Sequence, residues 1–201
     1  MTILSVNKTT EQDGRSALIF CGHDCACFLF WGVFMKKSRF VAHGALVAAL
    51  YVALTYLQNA LIPGSTAWAI QFRASETLCV LALFTPAAIP GLTLGCMLFN
   101  ISFAAALPLD FLVGSLATLL ATGGMYALRK ATVKSYPLLA MLLPAVTNGF
   151  LVGWELTVYI GGAFWLNTLY VAIGELTVLL TLGTALYYAI RTRNLDKRLF
   201  G

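Results

Sequence analysis

The chain has 201 residues, 60% of them apolar and only 10% charged, with a formal net charge of +5. A soluble domain carries about 25% charged residues, so this is a membrane protein; at about 20 residues per spanning helix it holds about six helices and no separate soluble ATPase or enzyme module. The positive balance is no nucleic-acid signal, because from Met35 onward the basic residues flank apolar runs, where they orient helices in a membrane.

Residues 1–24 are polar and irregular, and 25–34 form an apolar run too short to span a bilayer. Met35-Lys36-Lys37-Ser38-Arg39 then supplies a basic flank. Residues 1–34 are therefore expected to be a dispensable extension upstream of the functional start at Met35, and 35–201 a six-helix integral membrane domain. Finding Met1 or Thr2 by N-terminal sequencing of the native protein would overturn that expectation. No small-residue cleavage site follows the apolar run, which argues against a secretory signal. Cys21, His23, Cys25 and Cys27 have the residue types of zinc ligands, but their spacing is not that of a standard finger, so neither metal nor cofactor is expected. Cys79 and Cys96 lie inside apolar runs and read as small core residues.

Spanning segments are predicted at 40–62, 71–85, 90–107, 110–128, 137–160 and 165–190. They are separated by helix punctuation at Pro63-Gly64, Pro86, Pro90, Pro108, Pro137 and Gly161-Gly162. An even number of spans puts both termini on one side. Lys36, Lys37, Arg39, Arg129, Lys130, Lys134, Arg191, Arg193, Lys197 and Arg198 then all face the cytoplasm, while the outer links carry no Lys or Arg, in agreement with the positive-inside rule. Five or seven spans would throw basic segments to the wrong face.

A second set of charges lies within or at the edges of the apolar runs: Arg73, Glu76, Asp110, Glu155 and Glu175. Each is expensive in a spanning segment, at about 2.5–3.5 kcal/mol on insertion scales, unless it faces the bundle interior or a polar cavity. In the six-span topology all five fall in the outer half or the middle of the membrane, so one polar cavity open to the outside accounts for them together. Arg73 and Glu76 stand at i,i+3 and are expected to pair. Asn148, Glu155 and Tyr159 share one helical face, and Asn100 adds an amide. Asp110 reads equally well as a helix cap after Pro108. Four carboxylates against one arginine suit a ligand that is cationic or rich in donors. Gly91-x-x-x-Gly95 and Gly149-x-x-x-Gly153 permit close helix approach and read as internal contacts. Ala45, Ala49 and Ala53 make a flat stripe on the first helix, suited to docking another helix.

At Gln71-Phe-Arg-Ala-Ser-Glu76, at Phe84-Thr-Pro-Ala-Ala-Ile-Pro-Gly-Leu-Thr-Leu-Gly-Cys-Met-Leu-Phe-Asn100 and at Asp110-Phe-Leu-Val-Gly-Ser-Leu-Ala-Thr-Leu-Leu120, the chain resembles the QueT family. These are substrate-binding S components of energy-coupling-factor transporters, associated with queuosine precursors. The resemblance runs from Met35 to about Ile190, is most specific over 71–100, and extends to Asn148 and Glu155; residues 1–34 find no match. It implies a multi-pass protein of a prokaryotic cell membrane that captures a 7-deazaguanine base from outside and works with a membrane scaffold subunit and two cytoplasmic ATPases. The alanine stripe would be the scaffold's docking face. The chain has no G-x-x-x-x-G-K-[ST] phosphate loop of its own. On this reading carboxylates take the ring N–H, exocyclic amine and aminomethyl groups of the base, while Arg73, Asn100 or Asn148 donates to its carbonyl. Aromatic walls are expected from Trp68, Phe72, Trp154 or Tyr159. The main alternative is a proton-coupled secondary transporter, which also needs intramembrane acids; it would usually show two related halves, and none is visible. A hydrolytic metal enzyme is disfavoured, because His23 and His43 stand apart from the buried acids and no H-E-x-x-H occurs.

Overall fold

The computed structural model describes residues 24–63, 65, 72–103, 107–133 and 136–195, with side chains from Lys37 onward. The expectations for Cys21, His23, Cys25, Cys27 and Trp68 fall outside this description. The chain divides into two units, Met1–Ser38 and Arg39–Gly201. In the first, the described backbone is helical; the rest of this description concerns the second.

The order of elements is α1 (Asp24–Leu61), a 3-10 helix (Ala74–Leu83), α2 (Ala88–Ser102), α3 (Asp110–Leu128), α4 (Leu138–Tyr159), and α5 (Phe164–Val178), which runs through a π segment (Leu179–Gly183) into α6 (Thr184–Thr192). Among the described residues the only β pairing is an isolated bridge between Val133 and Tyr136. Among the described residues four helices are long and apolar enough to cross a membrane: Lys37–Leu61, Asp110–Leu128, Leu138–Tyr159 and Phe164–Thr192.

The second and third predicted spans form helices at the expected places, but shorter ones. The 3-10 helix has 10 residues, about 20 Å at the 3-10 rise; α2 has 15, about 22 Å at the α-helical rise. Both fall short of a hydrocarbon core of about 30 Å. The 3-10 helix is instead a central element. Seven of its ten residues, Ser75, Glu76, Leu78, Cys79, Val80, Ala82 and Leu83, are buried, and most join a core with Val47, Tyr51, Leu92, Cys96, Met125, Met141 and Tyr187. Its sequence is apolar because it is surrounded by protein.

Small residues set the helix crossings. A Cβ on Gly91 would lie 2.5 Å from the Gly44 carbonyl oxygen, and one on Gly95 would lie 2.9 Å from the Tyr51 Cβ, so the first GxxxG pattern seats α2 on α1. A Cβ on Gly153 would meet Thr168 at 2.7 Å, and one on Gly149 would meet it at 3.3 Å, so the second seats α4 on α5. Gly161 and Gly162 have φ of +88° and +91°, a region only glycine enters freely. They turn α4 tightly into α5, and Asn167 latches the turn by donating to the Gly161 carbonyl and the Thr157 hydroxyl, each at 3.0 Å.

Polarity is inverted relative to a soluble protein. Leu116, Leu120, Val146, Val158, Leu169 and Ile173 are exposed, whereas Arg73, Glu76, Asp110, Glu155 and Glu175 are buried. Lipid as the surrounding solvent explains both halves of that pattern.

Candidate functional site

The buried charges converge from the 3-10 helix, α3, α4 and α5, with α1 and α2 supplying partners. Arg73 precedes the 3-10 helix, and its Nη2 donates to Asp110 Oδ2 at 3.3 Å, with both residues buried. This corrects the Arg73–Glu76 pairing expected from i,i+3 spacing. Asp110 opens α3 without a side-chain cap bond, so its carboxylate serves the ion pair, and its main-chain carbonyl accepts from Asn100 Nδ2 at 2.9 Å. Gly114 makes room for that junction: a Cβ there would stand 2.9 Å from Asn100 Nδ2 and 3.0 Å from Asp110 Oδ1.

Glu76 turns instead toward α1. It accepts from the Tyr51 hydroxyl at 2.7 Å and from the Cys79 thiol at 3.0 Å. The second contact follows from the 3-10 geometry, which eclipses residues i and i+3. On the other side of the bundle Asn148 of α4 donates to Glu175 Oε1 at 2.9 Å, a contact made possible by the close α4–α5 crossing. Glu155 lies about two turns beyond Asn148 on the same face of α4. It is 1% exposed, and neither carboxylate oxygen has a hydrogen-bond partner.

These groups form one electrostatic cluster. Glu155 is within range of Asp110 and Arg73, and Glu175 is within range of Glu76 and Arg73. Arg73 is thus the common cation. Polar atoms left without a protein partner include both oxygens of Glu155, Asp110 Oδ1, Glu175 Oε2, Asn100 Oδ1 and Arg73 Nε. Five acceptors against one donor describe a site complementary to a donor-rich ligand. Buried polar groups are normally satisfied, and a concentration of unsatisfied ones calls for a specific explanation.

Not every predicted residue joins the cluster. Phe72 and Tyr159 are 39% and 42% exposed, and Trp154 is half exposed on the outer surface of α4. Ala45, Ala49 and Ala53 are exposed along α1. Conversely, Tyr51 and Gln58 were not singled out in the sequence. Tyr51 is fully buried against Glu76. Gln58 holds the entry to the 3-10 helix, accepting from the Ala74 amide at 2.6 Å and donating to Ser65 Oγ at 2.8 Å and to the Phe72 carbonyl. The available signal was the inward face Gly44, Val47, Ala48, Tyr51, Thr55, on which Tyr51 and Thr55 carry the hydroxyls. Among the described residues no three His, Cys, Asp or Glu side chains are grouped so as to hold a metal ion.

No solved structure matches the chain. A curated protein, the queuosine precursor transporter QueT of Lactococcus lactis subsp. cremoris (strain MG1363), is 42% identical over 90 residues, which is 42% of this chain and 49% of the relative. The chain thus matches about half the length of that relative. The family model described as QueT transporter matches residues 41–192, which include the 3-10 helix, the glycine crossings and every buried charge. The chain belongs to the QueT transporter family.

Proposed function

We propose that this protein is the substrate-binding S component of an energy-coupling-factor importer in a prokaryotic cell membrane, and that it takes up a 7-deazaguanine queuosine precursor. The single observation that carries this reading is Glu155, a carboxylate 1% exposed with both oxygens unpartnered, beside an arginine already engaged by Asp110. A charge left in that state is strongly unfavourable. A base with an exocyclic amine, ring N–H groups and, in one form, an aminomethyl cation supplies the missing donors.

In this assignment Glu155 and Asp110 Oδ1 accept from the base, Glu175 Oε2 and Asn100 Oδ1 provide further acceptors, and Arg73 Nε donates to its carbonyl. Glu76 and Asn148 orient their neighbours. Phe72 and Tyr159 are assigned to the aromatic mouth. The queuosine-precursor relative supports the cargo. The six helical segments are taken to cross with both termini cytoplasmic, the short 3-10 helix being enclosed by its neighbours while α2 carries Leu94, Leu98 and Ile101 on an exposed face. With no phosphate loop in the sequence, transport energy is assigned to a scaffold subunit and two ATPases, docked through Ala45, Ala49 and Ala53.

Calorimetric titration of the purified protein with the aminomethyl base, its nitrile relative and queuine tests the cargo. Binding of at least one is expected, and tight binding of thiamine or riboflavin with none of these bases would refute it. Uptake in cells should require the scaffold and ATPases; uptake by this chain alone, driven by a proton gradient, would establish a secondary transporter instead.

A further inference from the structure

The unpartnered acceptors of the buried cluster lie at two levels of the bundle. Glu155 stands four residues before the end of α4 at Tyr159, whereas Glu175 stands eleven residues beyond the start of α5 at Phe164. Measured from the Gly161-Gly162 turn that joins these two helices, Glu175 is therefore the farther by about 10 Å at the α-helical rise. Asn148 gives the same separation from the other helix: it holds Glu175 Oε1 at 2.9 Å and lies two turns before Glu155 on one face of α4. The two levels have different neighbours. Glu155 is within range of Asp110 and Glu175 is within range of Glu76, while Arg73 is within range of both.

At the level nearer the turn, both oxygens of Glu155 and Asp110 Oδ1 are without a partner among the described residues. Three carboxylate oxygens match the three donors of an ammonium group, and two acids balance its charge. At the farther level Glu175 is 4% exposed and its Oε2 is unpartnered, while Oε1 keeps a second lone pair beside the bond from Asn148. Such a carboxylate takes two adjacent N–H donors side by side, as it takes an arginine fork. Glu76 is already occupied by the Tyr51 hydroxyl and the Cys79 thiol, so Glu175 is the acceptor open to a ligand at this level. Taking the proposed function as the starting point, we infer that Glu175 reads the amidine edge of the base, its ring N–H and exocyclic amine, while the aminomethyl group sits at Glu155 and Asp110. The base then lies lengthwise between the two levels, with Arg73 at the carbonyl between its ends. Asn148 is a positioning residue that fixes the Glu175 carboxylate. A small cation reaches one level only, and a base without the exocyclic amine leaves Glu175 short of a donor.

Calorimetric titration of the full-length protein in detergent tests this with three ligands: the aminomethyl base, its analogue lacking the exocyclic amine, and its analogue with methyl in place of aminomethyl. Wild type is expected to bind the desamino analogue about 100-fold more weakly than the parent, the cost of a buried acceptor left without its donor. Glu175→Gln keeps the side chain's size and an oxygen for Asn148 but turns donors toward the donors of the base. It should weaken the aminomethyl base about 100-fold and bind that base and the desamino analogue within about threefold of each other, while keeping the wild-type preference for aminomethyl over methyl. Glu155→Gln should do the reverse, losing the aminomethyl preference and keeping the preference for the exocyclic amine. Wild-type binding of the desamino analogue as tight as that of the parent overturns the inference without any variant, so a folding defect in Glu175→Gln cannot shelter it. A Glu175→Gln protein that loses the aminomethyl preference instead overturns it too. Both results leave the proposed function standing, because the aminomethyl base still binds wild type. Binding of none of the three ligands by wild type overturns the proposed function and this inference together.

Discussion

The two ends of the bundle use arginine in opposite ways. Arg73 is 6% exposed, bonded to Asp110 and surrounded by three further carboxylates. Arg129 is half-buried and Arg191 exposed, each bonded to a tyrosine. At one end the cation is outnumbered and withdrawn from solvent, so its removal unbalances the interior. At the other end the cations stand at helix ends with part of their surface exposed, where solvent screens them. The difference teaches that position in the chain, more than residue type, decides whether a charge is drawn into the buried cluster or left at an exposed helix end.

The largest expected effect comes from breaking the buried pair. Arg73→Ala leaves the Asp110 carboxylate without its partner, and removing one member of a buried ion pair typically costs about 3–5 kcal/mol. Thermal unfolding in detergent should show a large loss for Arg73→Ala and much of it recovered in Arg73→Met/Asp110→Leu. If the single variant melts like wild type, the cluster is not the structural centre described here. Next in size is Glu155→Gln, which on the proposed function removes the charge that meets the ligand. Calorimetric affinity for the aminomethyl base should fall about 100-fold, within the range for truncating one side of a buried charge pair, with the nitrile relative affected less. An equal loss for both bases would mean that Glu155 does not read the cation.

How much of this was legible in the sequence follows from the same contrast. Residues that lipid makes expensive stand out against an apolar background, so Arg73, Glu76, Asp110, Glu155 and Glu175 were visible as a set, and the structure brings them within electrostatic reach of one another. Their pairing was not visible. Helical spacing favoured Arg73 with Glu76, but the chain before the 3-10 helix directs Arg73 toward α3, and Tyr51 of α1 claims Glu76. That the 3-10 helix is surrounded by protein was equally hidden. Apolar residues read alike whether lipid or protein covers them, so segment 71–85 looked like an ordinary span. Tyr51 and Gln58 gave no charge signal, and their roles depend on contacts 25 and 16 residues away.

Tyr51→Phe probes the boundary between the two kinds of charge at a smaller scale. It keeps the ring in the core and removes only the hydroxyl that donates to Glu76 Oε1, leaving the carboxylate with the Cys79 thiol alone. An acceptor stripped of one buried partner costs about 1–3 kcal/mol, so a modest drop in melting temperature is expected. Leu116→Ala, on the lipid-facing side of α3, should stay within about 0.5 kcal/mol, as substitutions away from packed or polar features usually do. The ordering Arg73→Ala, then Tyr51→Phe, then Leu116→Ala places the stability of this bundle in its polar interior. A Leu116→Ala loss as large as that of Tyr51→Phe would move it to the apolar surface, and the contrast between the two ends would then say nothing about what holds the fold together.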